Sequence, residues 1–512
     1  MSYMLGFDVG TTGTKTLVID EEGRVIVTAS SEYPLLAPRP NWAEQNPAEW
    51  WKATCASIGQ ALTQAQVDSK DIAAVGLTGQ MHGSVFLDGN NQVIRPAILW
   101  CDQRTAAECE EIEGTLGGRK GLIELTSNPA LTGFTAPKIL WLRHQEPENY
   151  QQVRKVLLPK DYIRFLLTGE YATDVSDASG TLLFDVRRRC WSPEVLEALD
   201  IPEQWLPSCY ESPEVVARVS AQGAQATGLS EGTPVVAGGG DQAAGGVGSG
   251  IVLPGRASVV LGTSGVVFVY SEAPDFDSDG RLHTFCHAVP GKWHVMGVTL
   301  AAAGSLRWYH DVIGPGEDMR RRYPDLGDYD LLEKEAEEVE AGSEGLLFLP
   351  YLTGERTPHA DANTRGVFFG LTYRHGRGHL VRSVMEGVAF SLRDCFELVK
   401  DIGISVKRLV ISGGGARSPL WRQTLADVLG QEIVTINVEE GPAFGAALLA
   451  GVGSGIFGSL EQAVEASIHE IGKTMPQRDS ARIYEQLYQI YRSLYPILKN
   501  AFQELGEAQK IR

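Results

Sequence analysis

Two hairpin signatures, half a chain apart, constrain the fold of this sequence more than any other feature. From Met4, MLGFDVGTTGTKTLVIDEEGRVI reads as strand, Gly/Thr turn, strand, Asp-Glu-Glu-Gly turn, strand. From Ala257, ASVVLGTSGVVFVYS repeats the core of it: an apolar run, a G-T-S-G turn and a β-branched run. Gly10 and Gly262 stand 252 positions apart in a chain of 512. A G-T-[ST]-G turn between apolar strands, once in each half, indicates one α/β unit present twice. A chain of this length also exceeds what one core supports, so two domains are expected. The break is placed near Gly245, giving domains at 1–245 and 246–479 and a closing helix at 480–512. In that helix Ile483, Leu487, Ile490, Leu494, Ile497, Leu498 and Phe502 recur at helical spacing and are expected to pack inward.

The turns themselves suggest chemistry. Successive N–H groups and hydroxyls in a tight turn form a concavity that binds anions without a basic side chain. Gly10-Thr11-Thr12-Gly13 and Gly262-Thr263-Ser264-Gly265 both suit this, and the pair could hold one polyphosphate. Taken alone, each is an ordinary hairpin. Asp8 stands two residues before the first turn, and a carboxylate beside phosphate is repelled unless a cation intervenes. Asp8 therefore implies Mg²⁺, reached through water. A second acid, Asp241, lies within VVAGGGDQAAGGVGSG, among seven glycines and three alanines. Glycine allows close approach, so the run is expected to make room for a ligand beside Asp241. A carboxylate that takes the proton of an attacking hydroxyl is what phosphorylation of a sugar requires.

Other classes are disfavoured. A net charge of -19 argues against nucleic acid, whose phosphates demand clustered Lys and Arg. The seven cysteines are scattered without C-x-x-C spacing, so neither zinc nor a disulfide framework is indicated. The start MSYMLGFDVG lacks a secretory pattern, and no apolar run reaches the roughly 18 residues that span a bilayer. A cytoplasmic location, with no membrane partner, is the expectation. Gly472-Lys473-Thr474 lacks the first glycine of a P-loop, and the G-x-G-x-x-G at Gly453 to Gly458 follows a helix-like stretch instead of a strand. Both are set aside.

Two segments read as pocket walls. GLTGQMHGS ends a strand with Gln80, Met81 and His82, and ILWCDQRT supplies Trp100, Asp102 and Arg104 after another. An aromatic face with an acid and a donor beside it grips polyols. Singly, His82 or Trp100 would read as core; together at strand ends they point to a sugar site.

In order, DVGTTGTK, GQMHG, LWCDQRT, SDASGTLLFDV, GGGDQAAG, GTSG, LPYLTGERTPH, GVFFGLTYRHGRGHLVRSVMEGVAF and ISGGGARSPLWRQTLADVLG resemble the FGGY carbohydrate kinases, from about Met4 to about Leu449. The resemblance implies an α/β chain of two duplicated actin-like, ribonuclease-H-like domains with a catalytic cleft between them. It implies ATP-dependent phosphorylation of a sugar's terminal C5 hydroxyl. GQMHG, LWCDQRT and SDASG are most like those members that take D-xylulose; ribulose, gluconate and glycerol are the alternatives, and an actin-like ATPase switch is the rival outside sugar chemistry. By the same resemblance Asp241 is the catalytic base and Asp8 organises magnesium, both being metal candidates. Met81 and His82 contact sugar, with Gln80, Trp100, Asp102 and Gln242 beside them. ATP falls to Gly10, Thr11, Thr12, Lys15, Gly262, Thr263 and Ser264, and to Gly413, Gly414, Gly415 and Ser418 against adenosine. Gln242 departs from the Asn that many relatives carry after the base. The tail helix or another apolar face offers a surface for a homodimer.

Overall fold

The computed structural model of the protein describes residues 2–510; Met1, Ile511 and Arg512 of the expected domain ranges lie outside them. The chain forms two compact units. The first comprises Met1–Pro254, Tyr270–His294 and Glu440–His469, and the second Gly255–Val269, Val295–Glu439 and Glu470–Arg512. Set beside the expected division near 245, the chain passes between the compact units several times. Residues 440–469, assigned from sequence to the second domain, belong with the first, and the closing helix belongs with the second.

In the first unit, alternation along one strand decides both faces. Tyr3–Val9 lies centrally, antiparallel to Gly13–Ile19 on one side and parallel to Ile72–Gly79 on the other. Leu5, Phe7 and Val9 join a buried cluster with Trp50 and Ile58 of the helix Pro47–Ala65. Successive side chains point to opposite faces, so Met4, Gly6 and Asp8 share the other face. There the helix Gly441–Gly453 lies at backbone distance: a Cβ on Gly6 would meet Ala443 O at 2.2 Å, and one on Gly76 would meet Ala446 O at 1.8 Å. The short helix Asp241–Gly248 packs against the same helix equally closely, the Cβ position of Gly248 lying 1.9 Å from Gly441 O. Gly238, Gly240 and Gly248 of the run around Asp241 are thus occupied with packing. Gly240 accommodates the Met81 side chain, and Gly238, at φ 73°, presses against Leu77 O. The expectation that they clear space for a ligand gives way to this.

The second unit repeats the plan. Arg256–Leu261 and Gly265–Ser271 form the second hairpin, with Leu261 opposite Gly265. Arg408–Ser412 runs parallel beside Arg256–Leu261, as Ile72–Gly79 does beside Tyr3–Val9. With Val215–Arg218 of one sheet and His283–Cys286 of the other set aside, and the remaining strands counted in chain order, both run third, second, first, fourth, fifth: Val25–Glu32 to Pro234–Val236 in one, Trp293–Thr299 to Ile433–Ile436 in the other. The duplication read from two turns is present in the strand order.

The closing helix spans Arg478–Lys510. It buries Tyr484, Tyr488, Tyr491, Leu494 and Phe502, while Ile483, Ile490 and Ile497 are exposed. Its tyrosines won the inward face because each hydroxyl has a buried partner. Tyr484 donates to Glu386 and Tyr488 to Asp394, both at 2.8 Å, and Tyr491 meets the Tyr351 hydroxyl at 3.2 Å. An isoleucine in place of Tyr488 would take from Asp394 its hydroxyl donor, and one in place of Tyr484 would remove one of several donors to Glu386. No helix among the described residues is long and apolar enough to cross a membrane.

Candidate active site

The register of Ile72–Gly79 assembles the site in the first unit. Asp8 pairs across from Thr78 on one side of this strand, and Gly239–Gly240 pair with Thr78 and Gly79 on the other. Asp8 and Asp241 therefore flank the strand's carboxyl end, and Gln80, Met81 and His82 follow directly from it. Asp241 begins its helix, where the macrodipole favours a negative charge. Burial nevertheless pushes its carboxyl up to about 6, against hydrogen bonds from Gln242 that lower it. Asp8 is pushed up to about 7, first by burial and then by the charge of Asp241, with Lys15 acting the other way. Its Oδ1 is buried and accepts no hydrogen bond. Two facing acids, one with an unclaimed oxygen, form a donor set that fits a hard divalent cation keeping several waters. Among the described residues no cluster of three or more metal-ligating side chains exists.

The first turn is held from behind. Gly10 O accepts from the Tyr33 hydroxyl and from Gln80 Nε2, Thr11 O from Gln45 Nε2, Thr12 O from Tyr33 N and Gly13 O from Gly10 N. With all four carbonyls engaged, the amides of Thr11 and Thr12 are the turn's backbone groups suited to an anion. The Thr11 hydroxyl is not part of that offer, since it receives Trp100 Nε1 at 3.0 Å and donates to Gln80 Oε1 at 3.3 Å. Lys15, opposite Asp8 in the hairpin, is paired with Glu440 at 2.5 Å. Gln45, Tyr33 and Glu440 were missed in the sequence; Glu440 is 425 positions from its partner and carries no local signal.

Two residues expected to contact sugar have partners within the protein. Gln80 is 1% exposed, and its amide is spent on the turn and on Gln45. Asp102 is fully buried: Oδ2 takes Ala43 N at 2.6 Å and Arg104 Nη2 at 2.7 Å, and Oδ1 takes the Arg104 backbone and Nε. The Arg104 guanidinium in turn lies 3.6 Å over the Trp42 ring. Each Asp102 oxygen accepts two hydrogen bonds, and both Gln80 amide hydrogens are in use. The others remain at the strand end. His82 sits at φ 68° with Nδ1 donating to Gly180 O at 2.7 Å, which leaves Nε2 as the acceptor nitrogen. Gly180 is required there, because its Cβ would come within 2.4 Å of the imidazole. Met81 is buried against Gly240, Trp100 is 38% exposed, and Gln242 is half-buried beside Asp241.

In the second unit, Gly262, Thr263, Gly414, Gly415 and Ser418 line one pocket of about 590 Å³, with Tyr329, Glu333, Met385 and Trp421. Ala303 N donates to Gly262 O at 2.8 Å, and Ala302 N and Gly304 N donate to Thr263 O at 2.9 and 3.1 Å, so this turn too is gripped by its carbonyls. Ser418 caps the helix Pro419–Leu429 and donates to Glu333 at 2.8 Å, which removes its hydroxyl from the ligand. Gly413, at φ 87° against Leu261 O, and Ser264 are not among the lining residues.

The N-terminal domain model of the FGGY family of carbohydrate kinases matches residues 3–248, and the C-terminal one residues 257–454. Over 500 residues the chain is 39% identical to a xylulose kinase of Bacillus subtilis, with 98% of each chain covered. It is 42% identical to a xylulose kinase of Lactococcus lactis, with 97% of each covered. A crystal structure described as a xyloylose kinase from Brucella ovis superposes with a TM-score of 0.89 at 37% identity, covering 98% of this chain and all of that one.

Proposed function

The chain belongs to the FGGY family of carbohydrate kinases, and from that premise we propose that it transfers the γ-phosphoryl group of ATP to the C5 hydroxyl of D-xylulose, giving D-xylulose 5-phosphate and ADP. The observation that carries this reading is the pair of acids flanking the end of Ile72–Gly79. Asp241, held near 6, is ionised at neutral pH yet basic enough to accept a hydroxyl proton as the phosphoryl group leaves ATP. Met81 and the Trp100 face offer apolar surface to the sugar's C–H bonds, His82 Nε2 accepts from a hydroxyl, and Gln242 offers its amide. Within the first unit the Thr11 and Thr12 amides suit phosphate oxygens; within the second, the turn at Gly262 and Thr263 suits phosphate and the pocket of Gly414, Gly415 and Trp421 suits a nucleoside. Asp8 and Asp241 would hold Mg²⁺, which when bound supplies charge neutralisation for the triphosphate.

The test is a coupled assay of ADP release over D-xylulose, ribulose, gluconate and glycerol. D-xylulose should give the highest kcat/KM. Preference for another of the four would reassign the substrate, and ATP turnover indifferent to every sugar would remove the kinase reading.

A further inference from the structure

Behind Asp241 lies a group of charges that the phosphoryl transfer does not itself use. Lys160, Asp161, Arg164, Asp174 and Asp177 are all at most 1% exposed. Lys160 Nζ is 2.6 Å from Asp161, 2.7 Å from Asp174 and 3.1 Å from Asp177, and Arg164 Nη1 is 2.7 Å from Asp161. As a source of stability such a cluster is a poor choice. Desolvating five ionisable groups consumes most of what their attraction returns, and well-packed apolar side chains often do as well. Its value must lie in what it holds.

It holds the backbone that delivers Asp241. Arg164 Nη2 donates to Ala237 O. Asp174 Oδ1 accepts from Ser176 N at 2.8 Å and from the Ser176 hydroxyl at 2.5 Å, and that hydroxyl accepts Gly240 N at 3.0 Å. Between these two grips lie only Gly238 and Gly239, which carry no side chains to fix their own conformation. Gly240, gripped by Ser176, is the residue immediately before the acid. A glycine segment loses more freedom on ordering than any other, and here the two grips add to the pairing of Gly239 and Gly240 with Thr78 and Gly79 and to the bond from Gly238 N to Ser212 O at 2.9 Å.

We infer that Ser176, Asp174, Lys160 and Arg164 are positioning residues for Asp241: through Ala237 O and Gly240 N they set where its carboxylate stands, and they touch no reactant. This rests on the kinase reading above, in which Asp241 must come within about 2.6–3.2 Å of the hydroxyl it deprotonates. A misplacement of about 1 Å costs on the order of 10²-fold in rate. Losing a grip should therefore lower kcat and spare the binding of either substrate.

The least invasive probe is Ser176→Ala, which deletes one hydroxyl and no packing volume. Steady-state kinetics with D-xylulose and ATP should show kcat reduced at least about tenfold, with both KM values within about twofold of native. Asp174→Asn keeps the shape and removes the charge that orients Ser176, and stands in if the first variant does not fold. A kcat within twofold of native overturns the inference. So does a loss of kcat matched by rises in both KM values, which would mark a general structural role. Asp241→Asn, run alongside, separates the premises: if it keeps native turnover, the base assignment fails; if it is inactive while Ser176→Ala is native, only the positioning role fails.

Discussion

At the scale of single residues, the same carboxyl chemistry divides into two fates. Asp8 lies in a strand and Asp102 in the loop after the strand Ala97–Ile98, yet Asp102 meets Arg104 two positions on and is neutralised, whereas Asp8 meets another acid. Sequence could nominate both acids, because a strand end is a good place for a functional side chain. It could not exclude Asp102, since nothing in ILWCDQRT says that Arg104 folds back onto it. The partners of Gln80 were hidden for the same reason at longer range, lying 69 and 35 positions upstream. For the base, Asp241→Asn should lower kcat by about 10²–10⁴-fold and leave the dissociation constant for D-xylulose, by calorimetric titration, within about threefold. Asp8 makes a second prediction. It keeps its proton to about pH 7 in the fold against 3.8 ordinarily, so the folded chain binds the more protons between those values. The stability this contributes is complete below about pH 4 and is lost as pH rises through 7. In metal-free buffer Asp8→Asn should therefore melt with native at pH 4 and above native at pH 8. Adding Mg²⁺ at pH 8 should raise the native Tm far more than the variant's. Parallel melting curves across pH would remove the buried-acid account.

At the scale of elements, strands and turns were readable because their signals are local. Alternation, the two G-T-[ST]-G turns and the helices near His379 and Pro419 needed no partner to be seen. Packing between elements was not readable. The glycines around Asp241 looked like ligand clearance, but the helix they accommodate lies some 200 residues downstream, and glycine serves close helix packing as well as it serves a ligand. Likewise the closing helix offers an isoleucine stripe and a tyrosine stripe, and only acids on Arg377–Asp401 decide between them. The helix Gly441–Gly453 gives a sharp contrast in substitution. At Gly76 a Cβ would sit 1.8 Å from Ala446 O, inside rigid backbone, whereas at Gly59, within the helix Pro47–Ala65, nothing lies within 4 Å. Gly76→Ala should destabilise by about 3 kcal/mol or more, the upper range of overpacking. Gly59→Ala should stabilise by about 0.5–1 kcal/mol through backbone entropy. Urea titration measures both, and equal midpoints would contradict the close approach.

At the scale of the whole molecule, repetition in sequence and independence in folding separate. The two family models divide the chain at 248 and 257, and that division invites the idea of two domains that could be cut apart. The first unit does not end there. Its sheet face bearing Met4, Gly6 and Gly76 is covered by Gly441–Gly453, a helix that the chain supplies only after completing most of the second unit. Without it, a glycine-lined face with its neighbouring aliphatic side chains is open to water, and the helix carrying Asp241 loses the surface it packs on. A chain of residues 1–254 should therefore lack a cooperative thermal transition and bind a hydrophobic dye. Supplying residues 270–294 and 440–469, the rest of that unit, as separate peptides should restore near-ultraviolet dichroism, because what is missing is covering chain and not information in the strands of 1–254. If 1–254 alone melts cooperatively, the late helix is an accessory. If it does not, the interleaved chain ties Asp8 and Asp241 to completion of the second unit, and the acids reach working order only in a finished molecule.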